Sequence, residues 1–232
     1  MTRWQAFGKT AERAAGDDSG AVPKVVTGLT QDHRAPDHLL VEIDGARYAS
    51  LLIDLVHELD LRVGWALAPQ QFAQLERQAA IEAARDVAIR LLAVRPRSVN
   101  EMRRRLRERG HDSNAVDAAV DRLSSVGLLN DEHYAAHFAR VRAAKGHAGP
   151  RLVADLKARG VDRRVAESAV HETLDAEGID TVAQARDVAE RRAKQLKDVP
   201  PEAARRRLLA YMTRRGFRGH EIFDLVRELI PK

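Results

Sequence analysis

The chain has 232 residues, 44% hydrophobic and 31% charged, with a formal charge of +5; that is enough apolar material for one large or two small cores, and too much for wholesale disorder. It contains no cysteine, which removes disulfide frameworks, thiolate zinc sites and cysteine nucleophiles from consideration. No apolar run approaches the roughly 20 residues that span a bilayer, and the N-terminus carries no signal-peptide core, so the expectation is a cytoplasmic protein without a membrane partner.

Residues 1–22 are polar, rich in Gly, Asp and Ser and without periodicity, and are predicted to form a disordered tail. Residues 23–68 read as a small α+β lobe. Lys24-Val-Val-Thr-Gly-Leu29, His38-Leu-Leu-Val-Glu-Ile43 and Arg47-Tyr-Ala-Ser-Leu-Leu-Ile53 suggest two or three short strands, with Asp44-Gly45 as a hairpin turn. Val41 and Ile43 share one face by the two-residue period, and residues 50–59 suggest one short helix. Leu61-Arg-Val-Gly64 closes the lobe, and Pro69 opens the next helix as a first-turn proline.

From residue 70 onward the period is helical, and an internal repeat emerges. Residues 102–120, 152–170 and 208–226 align without gaps. Each segment has an apolar residue eight before a glycine (Met102, Leu152, Leu208) and another four before it (Leu106, Leu156, Met212). The glycines are Gly110, Gly160 and Gly216, each preceded by arginine, and a valine stands ten residues later at Val120, Val170 and Val226. The helix before the unit recurs too, as Ala84-Arg-Asp-Val-Ala88 and Ala185-Arg-Asp-Val-Ala189. This pattern predicts a mostly α protein: three tandem three-helix repeats in an elongated curved array, preceded by the small N-terminal β-hairpin lobe. The expected boundaries are 69–131 for the first repeat with its leading helix, 132–180 for the second and 181–232 for the third. Glycine is expected at the left-handed C′ position of each second helix. Ser98 with Glu101 suggests a capping box, Pro150 and Pro200-Pro201 open the equivalent helices, and Asp112 and Asp162 are placed to N-cap the third helices.

The residues needed for catalysis do not come together in this pattern. No glycine-rich phosphate loop is present. His133 and His137 have the spacing of two metal ligands on one helix face, but Tyr134 stands where a metalloprotease would carry glutamate. Asp131 and Glu132 suit the positive end of a helix. The expectation is therefore a non-enzyme without cofactor or metal.

Charge is the stronger signal. Residues 1–83 hold 8 basic and 12 acidic side chains, a net of −4, and the remainder hold 31 and 22, a net of +9. Arginine dominates two clusters: 103–109, where only Glu108 opposes five arginines, and 186–218, with 11 basic and 4 acidic residues. Its planar fork grips phosphate or carboxylate at two points, which favours specific recognition over diffuse solubility. Sparse aromatics (4%) argue against a base-stacking platform.

These residues resemble the RecX regulatory proteins, which bind RecA recombinase, over about residues 38–230. The resemblance rests on Ala88-Ile-Arg-Leu-Leu-Ala93 with Arg95-Pro-Arg-Ser98, and on the helix ending at Arg109-Gly110. It continues in Gly127-Leu-Leu-Asn-Asp-Glu-His-Tyr-Ala135, where Asn130 stands in place of the family's first aspartate, and in Gly149-Pro-Arg-Leu152 through Asp155-Leu156 to Arg159-Gly160. The hairpin lobe from Val41 to Gly64 is also similar to one that many members carry. The resemblance implies a non-catalytic modulator of recombination and the SOS response that lies in the groove of the RecA–DNA filament. The implied partners are the RecA filament and single-stranded DNA, and the absence of a dimer-forming heptad favours a monomer. From helical periodicity, the residues expected on the binding face are Arg104, Arg107, Arg151, Lys157, Arg191, Arg192, Arg206 and Arg207. The alternative is a basic helical-repeat protein that binds nucleic acid independently of RecA.

Overall fold

The computed structural model describes residues 23–231; the predicted disordered tail, 1–22, lies outside them. The chain divides into two compact units, one made of residues 23–96 with Met102–Leu128, the other of Arg97–Glu101 with residues 129–231.

The first unit begins with a three-stranded antiparallel meander: β1 (Val26–Gln31), β2 (His38–Ile43) and β3 (Ala46–Leu52), in that spatial order. Asp44 and Gly45 both take positive φ, 51° and 77°, as a two-residue hairpin turn with right-handed strand twist requires. Asp44 fixes the turn further by accepting from the Val25 amide at 3.0 Å. Val26, Val41, Ile43 and Leu51 are buried on one face, as the strand period dictates. Helix α1 (Ile53–Glu58) is shorter than the sequence suggests, because Ser50 and Leu51 instead pair with Leu40 and Leu39 of β2. A short apolar run satisfies either conformation, and here the strand partner decides.

Pro69 starts the 26-residue helix α2 (Pro69–Val94), whose Leu75 joins the core of the sheet. The farther part of α2 runs along α4 (Ser113–Ser125), while α3 (Val99–Arg107) leads into α4. Met102, Leu106, Val116, Val120 and Leu123 are buried, together with Ala84 and Ala88. Beneath them lies an ionic network around Glu82, which is only 2% exposed. Glu82 accepts from Arg122 at 2.7 Å and from Arg85 at 3.0 Å, and Arg122 also donates to Gln78 at 3.1 Å. His38 of β2 is 3.7 Å from Glu82, so one carboxylate ties together a strand and two helices.

The second unit contains α5 (Asp131–Ala143), α6 (Gly149–Ala158) and α7 (Arg163–Ala176) around one core, then α8 (Thr181–Lys194), α9 (Pro201–Arg214) and α10 (His220–Leu229) around another. Leu152, Leu156 and Val170 occupy the first core, and Leu208, Met212 and Val226 the same positions of the second. Helix starts follow the sequence: Asp112 and Asp162 each accept from two backbone amides, and Pro150 and Pro201 sit in first turns. Asp180 caps α8 in the same way, and Asn130 caps α5 by accepting from the His133 amide. Asn130 therefore supplies the acceptor that an aspartate would.

Within this unit the repeat glycines serve as contact points. The Ser98 hydroxyl donates to the Arg159 carbonyl at 2.6 Å and accepts from the Glu101 amide at 3.1 Å, while the Asn100 amide donates to the Gly160 carbonyl. One repeat later, the Ala148 amide donates to the Arg215 carbonyl at 2.9 Å. The N-terminus of a second helix thus sits on the Arg-Gly turn of the following repeat, at Gly160 and again at Gly216. Among the described residues no helix is long and apolar enough to cross a membrane.

Candidate partner-binding surface

The arginine-rich run of α3 is less free than it reads. Arg103 pairs with Asp117 at 3.0 Å and Asp121 at 3.2 Å, both from α4. Arg107 shares Asp117 at 3.3 Å, and Arg104 and Arg105 reach Glu108 at 3.7 and 2.9 Å. Sequence placed only Glu108 against this cluster; the opposing carboxylates come from the next helix. Arg104 and Arg107 remain exposed, so these ion pairs are weak and a partner can replace them.

In the second unit, Arg151 and Lys157 are exposed on α6, with Arg151 held by Asp155 at 3.0 Å. On α9, Arg206 and Arg207 are exposed on the side away from Ala204, Leu208 and Met212, which face the core. Lys157, Arg206 and Arg207 have no ion-pair partner among the described residues.

The structure brings Arg191 and Arg192 together at a cavity of about 220 Å³, whose lining includes Lys145, Val188, Tyr211 and Arg215. The Arg192 guanidinium lies 5.2 Å from the centre of the Tyr211 ring and that of Arg215 4.7 Å from it. Arg215 is further fixed by donating to the carbonyls of Lys145 and Gly146. Arg192 donates to Gln195 at 2.7 Å, and its Nε is buried without a partner among the described residues. Arg191 is drawn to Asp187 at 2.6 Å, but no carboxylate lines the cavity itself. Close by in the chain, burial and then the positive charges of Arg215 and Arg142 push His147 below the ordinary histidine value, so it is neutral near pH 7.

Sequence reasoning selected Arg191 and Arg192 but passed over Tyr211 and Arg215. Arg215 recurs before each repeat glycine and reads as a helix-end residue. Phe138 holds Arg159 and Arg142 at 4.7 and 5.5 Å in a comparable way, so at two of the three positions the recurring arginine stacks on an aromatic ring. Phe138 and Arg159 come from different helices, so no local pattern announces their contact, whereas Tyr211 and Arg215 stand four apart at the end of α9, a spacing that is present in the sequence. His133 and His137 are both exposed on α5, and no group of three or more His, Asp or Glu able to hold a metal occurs among the described residues.

Tandem three-helix repeats with arginine on their exposed faces define the class: a basic helical-repeat protein. Three family profiles match in order: RecX, first three-helix domain, at residues 84–123; RecX, second three-helix domain, at 130–170; and RecX, third three-helix domain, at 179–226. The chain belongs to the RecX family of regulatory proteins. It is 37% identical over 150 residues to regulatory protein RecX of Halorhodospira halophila, a match that covers 63% of this chain and 88% of the relative. To regulatory protein RecX of Amycolatopsis mediterranei it is 31% identical over 157 residues, 67% of this chain and 88% of that one. A crystal structure of regulatory protein RecX superposes with a TM-score of 0.69 at 14% identity, covering 88% of this chain and 99% of the other. RecX from Lactobacillus salivarius gives 0.53 at 20% identity, covering 65% and 96%. At those identities the structural likeness speaks for the fold.

Proposed function

We propose that this protein is a non-catalytic regulator that binds the RecA–single-stranded DNA filament and inhibits its ATPase, recombinase and coprotease activities, thereby modulating DNA repair and the SOS response. The similar proteins of Halorhodospira halophila and Amycolatopsis mediterranei are regulatory proteins by name, which supports the regulatory part of this reading. The observation that carries it further is the state of the cations in the second unit. Lys157, Arg206 and Arg207 are exposed without internal counter-ions, and Lys145, Arg192 and Arg215, which make no ion pair among the described residues, line a cavity that contains no carboxylate. Such groups gain more from an acidic or phosphate-bearing partner than those already paired. Arg104, Arg107, Arg151, Lys157, Arg191, Arg192, Arg206 and Arg207 form the contact set in this proposal. The protein acts as a cytoplasmic monomer without a cofactor.

The test is single-strand-DNA-dependent ATP hydrolysis by the cognate RecA, with this protein added well below the RecA concentration. Loss of hydrolysis at that ratio is expected, because one molecule bound to a filament affects many subunits. Undiminished hydrolysis at equal concentration would rule the proposal out. A second reading, nucleic-acid binding independent of RecA, draws support from the paired guanidinium groups on Tyr211. It requires affinity for single strands without RecA, falling with salt at a logarithmic slope of about −0.7 per neutralised phosphate.

A further inference from the structure

Arg192 lines a cavity of the second unit and makes no ion pair among the described residues, and a partly buried charge left unpaired is destabilising unless something outside the chain balances it. Its surroundings specify what that something is. Lys145, Arg191 and Arg215 line the same cavity, no acidic side chain does, and the apolar wall is Val188 with the Tyr211 ring. The volume, about 220 Å³, is below the roughly 300 Å³ at which sites for drug-sized molecules begin. It is large enough for a phosphate group with some water, and too small for a base and sugar as well.

The donors are also held in place before anything binds. Arg215 is anchored by the carbonyls of Lys145 and Gly146 and by Tyr211, and Arg192 by Gln195 and the same ring. A fork fixed in advance loses little freedom on binding, and guanidinium geometry matches the edge of an oxyanion. We infer that this cavity is a binding site for one phosphate group, with the Arg192 guanidinium as its central donor and Lys145, Arg191 and Arg215 the surrounding positive field. The phosphate is either a free anion or a member of a nucleic-acid backbone; both present the same oxygens. The site does not depend on recombinase regulation, since phosphate alone is a sufficient probe.

Inorganic phosphate titrated calorimetrically into the full chain, against chloride at matched ionic strength, is expected to show saturable binding that chloride does not. R192Q is expected to weaken it about tenfold, the scale of one lost charge-assisted hydrogen bond. Arg191 is exposed and its loss leaves the core intact, so R191Q serves as a second variant that weakens binding without risk to folding. Arg77→Gln, on the exposed side of α2 and outside both the cavity and the contact set, leaves phosphate affinity unchanged. Competition then separates the sources: displacement of phosphate by an oligothymidylate lacking terminal phosphates assigns the site to a strand backbone, and simultaneous binding assigns it to the free anion. Phosphate binding no better than chloride, or binding that survives both R192Q and R191Q, overturns the inference.

Discussion

A methyl group added at Gly160 would lie 2.5 Å from the Asn100 Cβ, and one at Gly216 would lie 2.5 Å from the Arg151 Cβ, whereas at Gly110 it would meet nothing within 4 Å. All three glycines have positive φ, at 80°, 96° and 85° respectively. The left-handed backbone alone disfavours alanine by about 1 kcal/mol, and a collision with an approaching helix start adds about 2 kcal/mol more. Gly110→Ala is therefore expected to lower the free energy of unfolding by about 1 kcal/mol, and Gly160→Ala or Gly216→Ala by about 3 kcal/mol. Urea unfolding measures this directly, and equal losses at all three sites would mean that Asn100 and Arg151 move aside freely. The backbone requirement was legible in the sequence, because each glycine ends a helix at the same place in its repeat. The close approach was not legible, because the three turns have similar local sequence and differ only in what packs on them.

Helix ends were read well from local chemistry. Asp112, Asp162, Pro150 and Pro201 all act where their residue types place them, since capping involves only neighbours in the chain. The end of β3 and the start of α1 were less legible, because the choice there rests on pairing with β2. Glu82 shows the same limit. It sits in a long helix where a glutamate reads as solvent-facing, yet it is buried and holds Arg85 of its own helix and Arg122 of α4. Removing one member of a buried ionic cluster leaves the others unpaired, which is worth 3–5 kcal/mol when all are buried (roughly). Here the side chains of Arg122 and Arg85 are 39% and 24% exposed and regain some water, so Glu82→Ala is expected to destabilise by about 2 kcal/mol. The contribution of the pair is isolated by a double-mutant cycle. Arg122→Ala is expected to cost less in the Glu82→Ala background than in the parent, and strict additivity would show that the two groups do not interact.

At the scale of the whole molecule, charge is unevenly committed. The net +5 of the chain combines an acidic N-terminal third with a basic remainder, and that asymmetry was visible without a structure. Which arginines are spent internally was not visible. Arg103 bonds to Asp117 and Asp121 across a turn, whereas Arg206 and Arg207, which helical periodicity assigns to the binding face, have no such partner among the described residues. Charge reversal should therefore separate the two kinds of residue. Arg206→Glu with Arg207→Glu takes the net charge from +5 to +1 and disturbs no ion pair among the described residues, while the α9 residues Ala204, Leu208 and Met212 keep their places in the core. Inhibition of RecA ATP hydrolysis is expected to weaken, chiefly through slower association that is most evident at low salt. The melting temperature is expected to match the parent. Arg103→Glu should do the opposite, lowering the melting temperature by setting a carboxylate against Asp117 and Asp121 while changing inhibition less. A double variant that inhibits like the parent with an unchanged melting temperature would remove Arg206 and Arg207 from the binding face, leaving the cavity beside Tyr211 and the exposed side chains of α6 as its remaining candidates in that unit.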